Sequence, residues 1–322
     1  MNRREFLQLN AFIAAAPRVG IEADRQMSPA RNIQTPGQST HEELVSVVTE
    51  DGLVMSGLLV TPEGPRVHPV AIIWIHGAGE NFYFPSYPNI ARATALQGHA
   101  FITANTRMHD IGCVVSYRPN FPNRRGGSYW GFASKQPIDI AAWVEFASLR
   151  GYRRVVIVGH SAGGPAVRRY QVERNDPRVI GIVMASVGLG PAPPRADPSV
   201  LKLASQMVAD GRGQELLSNP RISAATYVDY SQTPVDIWDF YGTETSTSNP
   251  AIGRLRCPLL VWFGSTDVGN AGDLERLKAL LARHGGPSRV DTQVIEGADH
   301  NYTGRESEIA RILTAWTKRL SP

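Results

Sequence analysis

Cysteine is almost absent from these 322 residues: Cys113 and Cys257 are the only two. At most one intramolecular disulfide can form, so a disulfide-stapled scaffold and a Cys-only structural zinc site are both excluded. Two separate, sheltered thiols are the simpler expectation. Lysine is nearly as scarce, 4 of the 33 basic residues, the other 29 being arginine. The arginines fall in scattered pairs (Arg3/Arg4, Arg124/Arg125, Arg153/Arg154, Arg168/Arg169) and never in a block of five. Without zinc-finger spacing or an aromatic RNA-binding box, the net charge of +4 does not make a nucleic-acid surface. No uninterrupted apolar run approaches the roughly 18 residues of a membrane-spanning helix. The 30 glycines and 23 prolines follow no three-residue period, which excludes a collagen-like rod, and no internal repeat is visible. What is present, 42% hydrophobic and 19% charged residues, suffices for a packed core and excludes wholesale disorder.

From residue 44 onward, strand-like and helix-like segments alternate. Leu44–Val48 and Leu53–Thr61 flank Glu50-Asp51-Gly52, a hairpin signal. Val70–Ile75 is an unbroken apolar run, as a strand buried on both faces requires, and ends in His76-Gly77-Ala78-Gly79. A helix is expected near Pro88–Gln97, a strand over Ala100–Ala104, a long aromatic loop over 106–134 and a helix over Ile138–Leu149 capped by Gly151. Arg154–Val158 reads as a buried strand running into Gly159-His160-Ser161-Ala162-Gly163-Gly164 and a helix to about Glu173. Val179–Ala185, Pro258–Phe263 and Val290–Ile295 complete the strands, Gly272–Arg283 and Glu306–Leu320 the helices. The alternation implies βαβ units: a mostly parallel sheet with helices on both faces and an antiparallel N-terminal edge. Residues 190–250, with four early prolines and two helical stretches, read as an insertion above the C-terminal strand ends, where open α/β sheets bind ligands.

The first residues carry a separate signal. Arg3-Arg4-Glu5-Phe6-Leu7 and a modest apolar stretch resemble a bacterial twin-arginine export signal. Ala14-Ala15-Ala16 supplies the small residues a signal peptidase needs. Asn10 interrupts the stretch and Pro17-Arg18 follows it, so an amphipathic arm is the plain alternative. Residues 17–40 form a polar lead-in. The expected compartment is the periplasm or exterior if the signal is read, otherwise the cytoplasm.

The chemistry-bearing signal is Gly159-His160-Ser161-Ala162-Gly163, placed after an apolar strand and before a helix. A serine in so sharp a reversal sits in strained backbone, and only small residues two positions either side avoid a clash. The following helix aims its free N–H groups at the site, favouring developing negative charge. His76-Gly77-Ala78-Gly79 follows the earlier buried strand. Its amides, from Gly77 or Ala78, and the Ala162 amide are candidate oxyanion donors; a plain tight turn is the bland alternative. A serine nucleophile needs a base and an orienting carboxylate. C-terminal to Ser161 there are only His284, which closes a helix, and His300, in a small-residue loop after the last strand. His300 is the better base. Asp267, just past the preceding strand, is the candidate acid, because the alternative position after Val179–Ala185 (Ser186 to Gly190) holds no carboxylate. Asp299 reads as a loop cap and Asp273 as a helix start.

From about 44 to 320 the chain resembles the α/β-hydrolase fold superfamily, on the loop at 76–79, the elbow at 159–163, Asp267 and His300 in that order. The resemblance implies a three-layer α/β/α sandwich with an inserted helical lid at about 190–250, a hydrolase domain over 41–322, and a leader and lead-in over 1–40. It implies Ser161 as acylated nucleophile, His300 as base then acid, and Asp267 as its orienter. Serine at 161 speaks against the branches that use an aspartate nucleophile. The family spans esters, amides, thioesters and lactones, and some members do not hydrolyse at all, so a peptidase, an amidase and a non-hydrolytic binding protein remain alternatives. Aromatic residues at 80–89, 106–134 and 190–250, among them Phe82, Tyr83, Trp130 and Tyr227, suit an apolar small-molecule pocket, though half or more can be packing. Arg118, Arg124 and Arg125 read as an exposed loop. No metal-ligand cluster or phosphate loop is evident, so no cofactor is expected.

If the leader is functional, N-terminal sequencing of the protein recovered from a bacterial periplasm will find a chain starting near Pro17. A cytoplasmic protein still starting at Met1 excludes export.

Overall fold

Among the described residues, eight strands form the sheet on which everything else is mounted. The computed structural model describes residues 39–64, 68–115, 124–187, 197–232, 251–267 and 271–320. The export-like leader, Arg118 and parts of the insertion lie outside them, as do the side chains of Asp273 and His284. β1 (Thr40–Val48) pairs antiparallel with β2 (Val54–Pro62) as the expected edge hairpin, and β2 pairs antiparallel with β4 (Ala100–Ala104). The remaining pairings are parallel: β3 (Val70–Ile75) with β4 and with β7 (Arg154–His160), then β8 (Val179–Ala185), β9 (Leu259–Gly264) and β10 (Val290–Ile295).

Covering both faces of the sheet explains the unbroken apolar runs. Every residue of β3 and β9 is buried. One face is packed by α2 (Gln136–Leu149), α3 (Gly163–Arg174) and α6 (Ala271–His284), which bring Trp143, Tyr170 and Leu277 against Ile73, Ile157 and Val261. The other is packed by α1 (Ser86–Ala95) and α7 (Glu306–Leu320), with Tyr87, Ile90, Leu313 and Trp316 against Trp74, Val158 and Trp262. This is the expected three-layer sandwich. Burying a large apolar side chain in it contributes about 1.5–3 kcal/mol.

The 106–134 stretch is more structured than the loop expected, while residues 190–250 hold the two helical stretches expected of them. The 106–134 stretch holds a short hairpin of β5 (Cys113–Val114) and β6 (Arg125–Gly126), and a 3-10 turn at Ala133–Lys135. Within residues 190–250, α4 (Pro198–Ala209) and α5 (Ala224–Gln232) bury a core of their own around Ala204, Met207, Leu217 and Tyr227. Asp197 caps α4, accepting from the Ser199 and Val200 amides. This unit is tied to the 106–134 stretch, where Trp130 Nε1–H donates to the Gln214 carbonyl and the Ser223 N–H to that of Tyr129. Cys113 and Cys257 are free and partly buried, as expected, and burial pushes their thiols up to about 12 and about 11.

β3 and β7 are adjacent, yet the chain leaves β3 towards β4 on one side and β7 towards β8 on the other. Their C-terminal ends therefore border the crevice where open α/β sheets bind ligands. Behind it, the buried Arg107 guanidinium is held by Asp139 at 2.7 Å and by Asp51 at 2.9 Å, and Asp139 also takes the Arg107 N–H. Asp139→Ala leaves a buried cation with Asp51 alone. Denaturant unfolding should then register a loss of about 3 kcal/mol, at the low end for breaking a buried pair.

Candidate functional site

Five parallel strands end level with one another, because Ile75 pairs with Gly159, Gly159 with Met184, Ala185 with Trp262 and Gly264 with Ile295. The segments leaving them carry every candidate residue. After β7 the chain reverses into α3, and Ser161 takes φ +48°, left-handed backbone that a non-glycine residue rarely adopts. The reversal is crowded. A Cβ on Gly159 would lie 2.4 Å from the Gly163 carbonyl oxygen, and one on Gly163 would lie 2.6 Å from that of Ile75. Ser161 N–H donates to the Ala185 carbonyl at 2.9 Å, pinning the turn to β8.

The turn after β3 lies directly beside it. A Cβ on Gly77 would sit 3.0 Å from Ser161 Cβ. His76 is buried; its Nδ1–H donates to the Gly77 carbonyl at 2.7 Å, and its Nε2 accepts the Thr106 N–H at 3.1 Å. Burial lowers its pKa to about 4, so it is a neutral brace for the loop. The two oxyanion candidates in this turn separate. Gly77 N–H is engaged by the Glu80 carboxylate at 2.7 Å. Ala78 is exposed, and among the described residues neither its amide nor that of the exposed Ala162 has an acceptor.

The structure brings Asp267 and His300 together: His300 Nδ1 lies 3.1 and 3.0 Å from the two Asp267 oxygens. Their loops are joined by the backbone, since the Ala298 carbonyl accepts the Thr266 N–H and, at 2.7 Å, its hydroxyl. A Cβ on Gly264 would be 2.2 Å from that same oxygen, so only glycine permits the approach. The Asp267 bond raises the His300 pKa against opposing desolvation. Burial would push the Asp267 carboxyl up, but hydrogen bonds from His300 and Ser186 hold it below the ordinary carboxylate value. With Nδ1–H given to Asp267, Nε2 is the nitrogen left for chemistry. Among the described residues no hydrogen bond joins Ser161 Oγ to His300; such bonds often form only when substrate is bound. Asp299 caps its loop as expected, accepting the Asn301 and Thr303 amides.

Sequence reasoning missed two supports of His300. Tyr302 O–H donates to Ser186 Oγ at 2.8 Å, and Ser186 in turn supports Asp267. Fully buried His160 places Nε2 2.8 Å from the His300 carbonyl, and Nδ1 2.7 Å from Tyr87 Oη and 3.2 Å from Glu80. An acidic residue closing a glycine turn was the available signal for Glu80. Tyr87 and Tyr227, expected among the pocket aromatics, are buried packing residues. A separate cavity of about 720 Å³ lies between the 107–132 and 214–216 segments, lined by Arg107, Arg125, Trp130 and Leu216 but by none of the candidate catalytic residues. Among the described residues no group of three or more His, Cys, Asp or Glu side chains could hold a metal, and no helix is long and apolar enough to cross a membrane.

The profile of the alpha/beta hydrolase family matches residues 72–312. No curated protein matches the sequence. Among solved structures, an esterase of Pyrococcus furiosus is 14% identical with a TM-score of 0.54, covering 87% of this chain and 91% of its own. Est1E from Butyrivibrio proteoclasticus, solved with ferulic acid bound, is 15% identical with a TM-score of 0.56, over 86% and 98%. DcsB, in complex with its substrate analogue, is 16% identical with a TM-score of 0.63, over 88% and 100%. At these identities the likeness is one of fold.

An NMR titration should find the His300 imidazole protonating above the ordinary 6.5. Asp267→Asn should move the midpoint down, because the partner stabilising the charged ring is gone.

Proposed function

The chain belongs to the alpha/beta hydrolase family, and on that premise we propose that it is a serine hydrolase cleaving a carboxylic ester of a small or medium-sized apolar molecule through an acyl-enzyme. The observation that carries the reading is His300 Nδ1 on both oxygens of Asp267, beside a serine held at φ +48° in a strand-to-helix turn. In this reading Ser161 Oγ attacks the ester carbonyl carbon while His300 Nε2 takes its proton. Asp267 balances the imidazolium so formed, which is the role of the buried acid in such triads. The tetrahedral oxyanion is met by the Ala78 and Ala162 amides, the latter at the start of α3, whose dipole favours negative charge there. On collapse, His300 gives the proton to the departing alkoxide; a water then repeats the sequence and frees Ser161.

Support for an apolar substrate comes from the rim. Ile111 lies 3.2 Å from where a Cβ on Gly79 would be, and it is substantially exposed, as is Tyr83. Exposed large apolar groups beside a reactive turn suit a ligand wall.

A fluorophosphonate probe should label the protein, and Ser161→Ala should abolish labelling and lower ester turnover on the order of 10⁶-fold. Equal labelling of Ser161→Ala refutes the nucleophile. Because the base must be neutral, the rate should fall as pH drops through the raised His300 value. p-Nitrophenyl esters should be hydrolysed far faster than matched anilides; the reverse order makes the protein an amidase.

A further inference from the structure

Glu80 is a carboxylate in an unexpected place. Its side chain is 12% exposed, and its Oε2 is one of the two nearest neighbours of the empty Cβ position on Gly77, the other being Ser161 Cβ. A negative charge beside the proposed oxyanion would oppose the reaction if it were free. It is not free. Oε2 accepts the Gly77 N–H and the Tyr87 hydroxyl, and lies 3.2 Å from His160 Nδ1. Burial by itself would raise the Glu80 pKa; His160, Tyr87 and the Gly77 amide together lower it to about 2, so the group is a fixed anion.

The second end of the network is the informative one. His160 Nε2 lies 2.8 Å from the carbonyl oxygen of His300, and a carbonyl only accepts, so this nitrogen carries a proton and donates it. The ring is wholly buried, stacks on Trp74 with centroids 6.0 Å apart and lies 4.9 Å from the His300 ring. Asp267 fixes the His300 side chain, whereas His160 fixes its main chain. The same carboxylate that orients His160 also closes the 77–80 turn, which presents the Ala78 amide. One buried anion therefore ties together the loop after β3, the residue preceding Ser161 and the backbone of His300.

We propose that Glu80 is a positioning residue, acting through Tyr87 and His160 to hold the His300 backbone and the Ala78 amide in one frame around Ser161. Glu80 touches no reacting atom in this account. The proposal rests on the serine-hydrolase reading, and it adds that Gly77 is a structural donor, leaving a two-amide oxyanion site.

The test compares Glu80→Gln, Glu80→Ala, His160→Phe and the double variant Glu80→Ala/His160→Phe in the full chain, using a p-nitrophenyl ester and a fluorophosphonate. A small displacement of a catalytic group costs about 10²-fold. Glu80→Ala and His160→Phe should each lose that much in kcat with KM nearly unchanged. The double variant should lose little more than either single one, because the two act as a unit. Glu80→Gln keeps an acceptor oxygen but not the charge. It should be less impaired in kcat, yet its acid limb should shift to lower pH, since Glu80 is one of the charges favouring protonated His300. If Glu80→Ala fails to fold, Glu80→Gln and the NMR midpoint of His300 decide alone. Unchanged kcat, acid limb and His300 midpoint in a folded Glu80→Gln overturn the inference while leaving the hydrolase reading intact. A wild-type protein that neither labels nor turns over removes both.

Discussion

The space between the C-terminal ends of β3 and β7 has no room for side-chain carbon, and the rest of the site depends on that. Gly159, Gly163 and Gly77 each stand where a Cβ would meet backbone, a carboxylate or Ser161 itself at 3.0 Å or less. Two turns thus approach through bare backbone. Holding Ser161 at φ +48° costs on the order of 1–3 kcal/mol, which surrounding structure must offset. The offset comes from the buried strands on either side and from the Ser161 amide bonded to β8. A turn fixed in this way cannot relax without opening the sheet, so its geometry is as stable as the core.

The same logic of close backbone approach recurs between β9 and β10. Gly264 lets the Ala298 carbonyl come in, and Thr266 holds it with two donors. Asp267 and His300 meet because their loops are already joined just before them, at Thr266 and Ala298. The pair is then buttressed from behind by Tyr302 through Ser186. Ser186 itself has φ +49°, so two of the five strand ends carry a serine in left-handed backbone. In each case the serine amide donates to a carbonyl in the C-terminal half of the next strand, Ala185 for Ser161 and Trp262 for Ser186.

Much of this was legible in the sequence. Val70–Ile75, Ala100–Ala104, Val179–Ala185 and Val290–Ile295 match the observed strands, three of them because a run buried on both sides leaves no polar residue to blur its ends. β10 is less buried, and there turn residues on both sides mark the limits. The first helix begins at Ser86 rather than Pro88, because Ser86 and Tyr87 are buried and fold into the first turn, a packing effect that local punctuation does not carry. Asp267 emerged because the alternative position lacked a carboxylate, and in the structure both its oxygens lie within 3.1 Å of His300 Nδ1. The Glu80–Tyr87–His160 group was not legible. Its members are joined across 73 and 80 residues of chain; Tyr87 falls in the 80–89 stretch read as pocket aromatics, and His160 drew no reading of its own within the elbow motif. Periodicity reports which face of an element is apolar. It has no access to which buried polar groups find each other, a matter settled only by the order of strands in the sheet.

That blind spot matters for how charge is arranged around Ser161. In the proposed reaction negative charge develops next to a turn that already holds an anion, and an isolated buried carboxylate there would oppose it strongly. Two donors aimed at one oxygen, the Gly77 N–H and the Tyr87 hydroxyl, change the sign of the problem. They spread the charge of Glu80 over Gly77 and Tyr87, with His160 Nδ1 3.2 Å away, and every one of those groups is buried or part of the frame. The anion then serves to fix dipoles rather than to bias the reacting centre directly. The expense is one backbone amide, Gly77, withdrawn from the set that could face an oxyanion. In exchange the remaining donor at Ala78 sits in a turn whose conformation is set from both ends, by His76 on the Gly77 carbonyl and by Glu80 on the Gly77 amide. A preorganised donor contributes more to transition-state stabilisation than a mobile one, because no reorganisation is required when charge appears. Two fixed amides are therefore a coherent alternative to three looser ones.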